Sequence, residues 1–285
     1  MNLVLGSAAW RIPYGAFSKG ILADKQISNL TSLASSFGFA FIDTAPSYGD
    51  TEEVIGRIKP TQGIATKVTV DTSDYTSIIK SIDQSRKHLK VESLDLVFIH
   101  NWDVLTESEK STSVDILQAC TSNQFIKRWG FSTYEVVELA NIERYGWSNL
   151  TVQINSNILD QRILQLEAFL RSVDFKNLNC EIWVRSVFLQ GALLDESPKN
   201  PFIRHKDIVR FFSFCKGFEI SPLEMCLAYI RHLDFVGQAI IGIVDEAQLR
   251  EISGAVHVEI PKADFSLVES RDIELIDPRK WKLHK

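Results

Sequence analysis

Four ionisable side chains of this 285-residue chain follow short apolar runs, in the order aspartate, tyrosine, lysine, histidine. Asp43 and, shortly after it, Tyr48 follow one such run, whereas Lys67 and His100 end two later runs. A short apolar run is typical of a buried strand. In folds that alternate strands and helices, chemistry collects where the strands end. The pattern therefore predicts that the four side chains meet at one end of a sheet.

These four residue types can together protonate an oxygen that gains negative charge. A free tyrosine has a pKa near ~10, and a lysine ammonium beside the phenol favours the phenolate and lowers that pKa. An aspartate would hold the lysine in its charged form, and a neutral histidine would orient a carbonyl oxygen. The set suits a reaction in which an oxyanion develops and is protonated. Without the two basic residues, Asp43 and Tyr48 would be interpreted as a strand end and a loop aromatic.

The same residues resemble the catalytic tetrad of the aldo-keto reductases, in the same order and on corresponding elements. That family reduces carbonyl compounds with NADPH, or sometimes NADH, on a (β/α)8 barrel. The resemblance implies that Tyr48 donates the proton and that Lys67 and Asp43 set its pKa. It implies that His100 orients the carbonyl group.

The remainder of the chain alternates between apolar runs and segments with helical periodicity. Eight strand–helix pairs predict an α/β fold, a closed (β/α)8 TIM barrel with eight parallel strands that forms a single domain over residues 1–285. The helix after the fourth strand is predicted only over Val114 to Cys120. The first strand begins at Leu3, so we expect the N-terminal hairpin found in many family members to be absent.

Two later strands resemble segments that hold the nicotinamide in this family. Ser132 and Thr133 stand where the family usually has Ser-Asn, and Gln153 stands where its glutamine binds the carboxamide. Thr133 departs from the family pattern and could instead cap the helix that follows. A glutamine between valine and isoleucine is poorly explained as core packing, which favours a functional role for Gln153.

The seventh strand and its loop resemble the family's Tyr-Ser-Pro-Leu-x-x-Gly stretch, whose aromatic residue stacks on the nicotinamide. Arg185 occupies the aromatic position. Its guanidinium plane could stack as well, bind an anionic substrate, or form a structural ion pair. The resemblance assigns cofactor binding to Arg185 and to the loop residues Ser186, Phe188, Gln190 and Gly191.

The segment after the eighth strand bears on the choice of nucleotide. Relatives that use NADPH usually carry lysine or arginine here for the 2′-phosphate, whereas this chain has Gly242, Val244 and Gln248, and Arg250 is the nearest cation. We expect NADP(H) or NAD(H) as cofactor, and the loss of the cations makes use of NAD(H), or of both, a prediction. Asp245 and Gln248 predict a capping box at a helix N-terminus, which suits a phosphate.

Three aromatic residues are candidates for the substrate pocket. Trp10 and Tyr14 follow the first strand, where the family has a pocket aromatic, and Trp102 follows the fourth. Packing on neighbouring residues is the alternative for Trp10 and Tyr14. The loop around Trp10 and the compact chain resemble family members from bacterial sugar and surface-polysaccharide pathways. A sugar-like carbonyl substrate is therefore a hypothesis.

Composition argues against several other classes of protein. The net charge of −5 disfavours nucleic acid or an anionic membrane as a partner. The four cysteines are scattered without metal-binding spacing, so we expect reduced thiols and no metal site. No stretch is long and apolar enough to span a bilayer, and no leader is recognised. We expect a cytoplasmic protein, a monomer or weak homo-oligomer, that acts on a small carbonyl substrate.

Two other functions fit the same motifs. A regulatory or sensor protein would keep the fold and the cofactor with little turnover. A barrel aldolase would use Lys67 as a Schiff base, but Tyr48 and His100 would then have no role. The leading prediction is an NAD(P)H-dependent reductase that converts an aldehyde or ketone to an alcohol.

Overall fold

Eight parallel strands close into a barrel in sequence order, and the last strand pairs with the first. The computed structural model describes residues 2–13, 21–260 and 263–281. The predicted (β/α)8 barrel is confirmed. The strands are β1 (Asn2–Gly6), β2 (Phe41–Asp43), β3 (Gly63–Val68), β4 (Leu96–Ile99), β5 (Trp129–Thr133), β6 (Leu150–Asn155), β7 (Glu181–Arg185) and β8 (Gln238–Gly242).

Helices follow the strands and cover the outside of the barrel. Their apolar residues recur with helical period, as in α1, which buries Ile27, Leu30 and Ala34. None of the helices in the described ranges is long and apolar enough to cross a membrane. The helices are α1 (Asp24–Ser36), α2 (Thr51–Ile58), α3 (Thr76–Leu89), α4 (Glu107–Ser122), α5 (Val137–Arg144), α6 (Glu167–Leu170), α7 (Val173–Asn177), α8 (Lys206–Phe218), α9 (Pro222–His232), α10 (Glu246–Ala255) and α11 (Ile273–Ile276).

Helix α4 begins well before the predicted Val114. Thr106 caps it: its hydroxyl accepts a hydrogen bond from the Glu109 amide, and the Glu109 carboxylate accepts one from the Thr106 amide. The first turns are polar and therefore lack the apolar period from which the helix was predicted. After β6, a 3-10 turn over Arg162–Leu166 leads directly into the one-turn helix α6.

The interior of the barrel is filled by apolar side chains towards the N-terminal ends of the strands. Trp183 lies at the centre of this cluster, fully buried, with edge-to-face contacts to Phe41 and Phe98 at centroid distances of 5.2 and 5.7 Å. Val4, Ala65 and other small or branched residues complete the layer. Because the centre of this end is packed, the interior of the barrel opens towards the C-terminal ends of the strands.

Candidate active site

A buried ion pair lies at the C-terminal ends of β2 and β3. The Lys67 ammonium donates to both carboxylate oxygens of Asp43, each at 2.8 Å, and to the Thr44 carbonyl at 2.8 Å. Lys67 is 2% exposed and Asp43 is 5% exposed. Two charges taken this far out of water are stable only with close pairing and further hydrogen bonds. The contacts to both oxygens and to Thr44 provide them.

Two strands on the opposite side of the barrel complete the surroundings of this pair. The Gln153 amide on β6 donates to Asp43 Oδ1 at 2.8 Å. The Ser132 hydroxyl on β5 in turn donates to Gln153 Oε1 at 3.0 Å. Ser132 and Gln153 are register partners in the sheet, so the backbone pairing of β5 and β6 fixes the second contact. The carboxylate is thereby held from both sides of the barrel.

Tyr48 lies in the loop between β2 and α2, against the ion pair. The Lys67 ammonium is 5.2 Å from the centroid of its ring. The Thr51 hydroxyl donates to the Tyr48 carbonyl, which joins the loop to the first residue of α2. Burial raises the pKa of Tyr48 above its usual value, the charge of Asp43 raises it further, and the charge of Arg185 lowers it.

The direction of this pKa shift corrects the prediction that the phenol is acidified. The cleft removes the ring from water, and burial disfavours the charged phenolate. The carboxylate that anchors Lys67 is also close enough to disfavour a second negative charge. Tyr48 therefore carries its proton at neutral pH, which is the state that a proton donor requires.

His100 directly follows β4 and faces the same opening. Its amide donates to the Val68 carbonyl at 2.8 Å, which fixes the backbone beside β3. Solvent reaches the imidazole through the cleft. Burial by the surrounding protein nevertheless lowers the pKa of His100 to about 4, and the charges of Lys67 and Arg185 lower it further, against an opposite effect of Asp43. The imidazole is therefore neutral at pH 7.

These side chains form one wall of a cleft of about 1110 Å³ at the C-terminal end of the barrel. This volume slightly exceeds the usual range of about 300–1,000 Å³ for ligand sites. Most of the residues predicted to bind cofactor or to catalyse line it together. They are Asp43, Tyr48, Lys67, His100, Ser132, Gln153, Arg185, Ser186, Phe188, Gln190, Gly191, Gly242, Val244 and Gln248.

The structure places two predicted pocket aromatics elsewhere. Trp10 and Trp102 are fully buried and do not line the cleft. The Trp10 indole donates to the Ile243 carbonyl at 2.9 Å, and the Trp102 indole stacks on Phe131 at 4.1 Å between centroids. Both are wrong as pocket walls, because each indole turns inward to an acceptor and apolar neighbours. Tyr14 lies outside the described residues.

Thr133 also turns away from the cleft. Its hydroxyl donates to Asp103 and accepts a hydrogen bond from the Glu135 amide at 2.9 Å. Thr133 therefore stabilises the turn before α5. It does not cap that helix as the alternative prediction had it, because the N-cap position is Val136, and it does not line the cleft.

Arg185 stacks on Tyr134, a contact that sequence reasoning missed. The guanidinium carbon is 4.0 Å from the centroid of the ring. Arg279, from the C-terminal segment, covers the ring at 3.8 Å. All three line the cleft. Arg279 is paired with Asp277, Asp103 and Glu135, so Arg185 carries the positive charge of this stack that has no ion pair among the described residues.

The loop after β7 adopts an unusual backbone. Ser186, Leu189 and Gln190 have φ values of 61°, 47° and 51°, in the left-handed region that side chains disfavour. Gly191 has φ 96°, where glycine carries no such penalty. Strained conformations of this kind cluster at ligand-binding sites. The loop borders the cleft over its length.

The segment after β8 is only partly as predicted. The Asp245 carboxylate accepts from the Gln248 amide at 2.8 Å, as an N-cap does. The Gln248 side chain accepts from the Val244 amide at 3.1 Å instead of returning to the cap residue, so half of the predicted capping box forms. The nearby cation Arg250 is largely exposed and is 3.9 Å from Glu246.

Two carboxylates missed by sequence reasoning, Asp195 and Glu251, line the cleft near this segment. No group of three or more potential metal ligands occurs among the residues described. The four cysteines are unpaired thiols.

Comparison with known proteins gives one family. Residues 2–273 match the Aldo/keto reductase family. Among solved structures, the glycerol dehydrogenase AKR11B4 from Gluconobacter oxydans superposes with a TM-score of 0.70 at 19% identity, over 97% of this chain and 92% of that chain. The holo form of the aldo-keto reductase AKR11C1 from Bacillus halodurans gives a TM-score of 0.73 at 16% identity, over 98% and 95%. Identities this low establish a shared fold alone.

The electrostatics of the cleft predict an unusual histidine titration. His100 should titrate with a pKa of about 4, so that it stays neutral through the range in which a free imidazole, with a pKa of about 6.5, gains its proton. NMR of the imidazole nitrogens against pH measures this directly, with the signal assigned by its loss in His100→Gln. A midpoint near the free value would contradict the arrangement of charges described.

Proposed function

Since the chain belongs to the aldo/keto reductase family, we propose that it is an NAD(P)H-dependent reductase that converts an aldehyde or ketone to an alcohol, with Tyr48 as the proton donor. The observation that carries this proposal is the group around Tyr48. A protonated phenol lies against an ammonium that both oxygens of a buried carboxylate hold in place. A neutral imidazole faces the same opening.

The cleft fits a nicotinamide nucleotide. The lining of the cleft extends from the ends of β5 and β6 to the start of α10. A side chain added at Gly242 would meet nothing within 4 Å, so the end of β8 leaves open space. Near the catalytic end, Asn155 Nδ2 is a buried donor without an acceptor in the protein. When bound, the nucleotide would supply the hydride that reduces the carbonyl carbon.

Ser132, Gln153 and the loop from Ser186 to Gly191 are the residues that would hold the nucleotide. The Ser132–Gln153 hydrogen bond presents a pair of polar groups at the floor of the cleft. The loop presents strained backbone along its wall.

Tyr48 would protonate the oxygen of the substrate. It carries a proton at neutral pH, and the phenolate left after transfer would lie beside the Lys67 ammonium. Asp43 keeps that ammonium charged and fixed. The ammonium would thus stabilise the negative phenolate in a partly buried site, where such an interaction is stronger than in bulk water.

His100 would orient the carbonyl group. A neutral imidazole presents one N–H donor and one acceptor, whereas the protonated ring has only donors. One N–H to the carbonyl oxygen would point that oxygen at the phenol without competing as an acid. The depressed pKa of His100 keeps it in this neutral form.

The charges at the other end of the cleft favour NAD(H) over NADP(H). The part of the lining that α10 provides contains Gln248 and Glu251 and no lysine or arginine among the described residues, and Asp195 also lines the cleft. A carboxylate accepts hydrogen bonds from ribose hydroxyls and repels a 2′-phosphate. Arg250, the nearest cation, is not part of the lining.

The class of carbonyl substrate is a separate question from the reaction. The glycerol dehydrogenase that superposes on this chain does so at 19% identity, which shows a shared fold alone, so the sugar-like carbonyl substrate stays a hypothesis. The alternative of a regulatory or sensor protein with little turnover is separated from a reductase by kinetics, not by cofactor binding.

Replacing Tyr48 by Phe should leave nucleotide binding intact and abolish most turnover. General acid catalysis contributes about 10²–10⁴-fold, so kcat for a reducible aldehyde should fall by that order, while tryptophan fluorescence quenching by NADH is unchanged. Tyr75→Phe, at a tyrosine outside the cleft, serves as the control. Turnover retained in Tyr48→Phe would remove the mechanism.

NADH should bind more tightly than NADPH. Glu251→Gln should lower the ratio of the two dissociation constants by roughly fivefold through better NADPH binding, because it removes a negative charge that repels the 2′-phosphate. Fluorescence titration of both nucleotides measures this. Glu246→Gln, a carboxylate on the same helix outside the cleft, is the matched control. A large preference of the unaltered protein for NADPH would contradict the assignment.

A further inference from the structure

Arg185 is the cation of the cleft that no carboxylate neutralises. The other two cations that line it are paired, Lys67 with Asp43 and Arg279 with the carboxylates of Asp277, Asp103 and Glu135. Arg185 forms no ion pair with any acidic residue in the described ranges. This excludes the structural ion pair that the sequence left open.

The guanidinium also has spare hydrogen-bond donors. Of its five N–H groups, one on Nη1 donates to Asn155 Oδ1 at 3.0 Å and one on Nη2 approaches the Thr133 carbonyl at 3.5 Å. Arg185 Nε is covered by protein and has no acceptor. The adjoining Asn155 Nδ2 is in the same condition. Since Nε is covered, a ligand in the cleft would be bound by the remaining N–H groups on Nη1 and Nη2.

The unpaired charge is close to the reacting groups. Arg185 ends β7 and lines the cleft together with Tyr48 and His100. The charge of Arg185 lowers the pKa of both Tyr48 and His100. An anion held here would therefore lie in the same cleft as the carbonyl that Tyr48 would protonate.

The position of the guanidinium is fixed before any ligand binds. One face packs on Tyr134, whose ring also contacts Arg279 at 3.8 Å. Arg279 is in turn anchored by its ion pairs, of which the contact to Asp277 is 2.7 Å. Little ordering of the side chain would be required on binding, which favours affinity.

We propose that Arg185 binds a carboxylate of the substrate, so that the carbonyl compound reduced by this protein is an aldehyde acid or keto acid. The proposal rests on the proposed function for the reduction itself. A planar carboxylate matches the fork of N–H groups of an arginine. The carboxylate takes no part in the bond changes: the carbonyl carbon gains a hydride from the nicotinamide, and the oxygen gains the proton of Tyr48.

Paired substrates test the role of the charge. The kcat/KM values of glyoxylate and succinic semialdehyde are compared with those of their methyl esters, in the unaltered protein, in Arg185→Gln and in Arg185→Lys. Arg185→Gln removes the guanidinium charge that would hydrogen-bond the carboxylate, so kcat/KM for the acids should fall by roughly 10- to 100-fold. The kcat/KM values for the esters should change by less than about threefold. Arg185→Lys should recover part of the loss.

Arg144→Gln is the matched control. Arg144 also stacks on a tyrosine ring, that of Tyr145 at 5.6 Å, but it is exposed and lies outside the cleft. The substitution Arg144→Gln removes the same charge and should change kcat/KM for neither the acids nor the esters. A fall of acids and esters together, with weaker NADH binding, would show that the guanidinium faces the nicotinamide and would overturn the proposal.

A binding measurement separates this proposal from the proposed function. Calorimetry with γ-hydroxybutyrate, the alcohol that succinic semialdehyde would give, needs no turnover and is run with and without nucleotide. Binding that is lost in Arg185→Gln and kept in Arg144→Gln supports the carboxylate site even in a protein that reduces nothing. Equal binding to Arg185→Gln, or no binding to the unaltered protein, would overturn it.

Discussion

The buried ion pair between Lys67 and Asp43 is the interaction on which the rest of the site depends. Removing one partner of such a pair typically costs about 3–5 kcal/mol, because the other charge is left buried and unpaired. Strands β2 and β3 position the two charges, and Gln153 across the barrel completes the hydrogen bonding of Asp43. Ammonium and carboxylate are therefore fixed relative to one another by the barrel itself, and Tyr48 reaches them from the loop between β2 and α2.

The cleft that surrounds this pair is electrically asymmetric. Arg185 is a lining cation without an ion pair among the described residues, whereas the loop after β7 and helix α10 contribute the carboxylates Asp195 and Glu251. Under the proposals above, Arg185 would attract an anionic group, and Glu251 would favour a nucleotide without a 2′-phosphate. His100 is neutral because burial and the neighbouring cations Lys67 and Arg185 all disfavour a further positive charge.

The sequence was sufficient to predict the barrel and the meeting of Asp43, Tyr48, Lys67 and His100 at one end of it, because each lies at the end of a local apolar run or in the loop that follows. It could not predict which loop aromatics face the cleft: Trp10 and Trp102 differ from pocket residues only in the direction of the side chain, which distant acceptors determine. The stack of Tyr134 between Arg185 and Arg279 joins three distant parts of the chain, and no local pattern reports such a contact. The first turns of α4 were missed because they are polar.

The central claim is that the ion pair and Tyr48 serve a reduction and not merely the recognition of a nucleotide. Rapid mixing of the protein–NADH complex with a panel of aldehydes and keto acids, followed at the nicotinamide absorbance, tests it in a single turnover. The account predicts that at least one compound oxidises the bound nicotinamide stoichiometrically and far faster than it oxidises free NADH. Bound NADH that every compound leaves reduced, or oxidises only at the rate of free NADH, would contradict the account and favour a sensor.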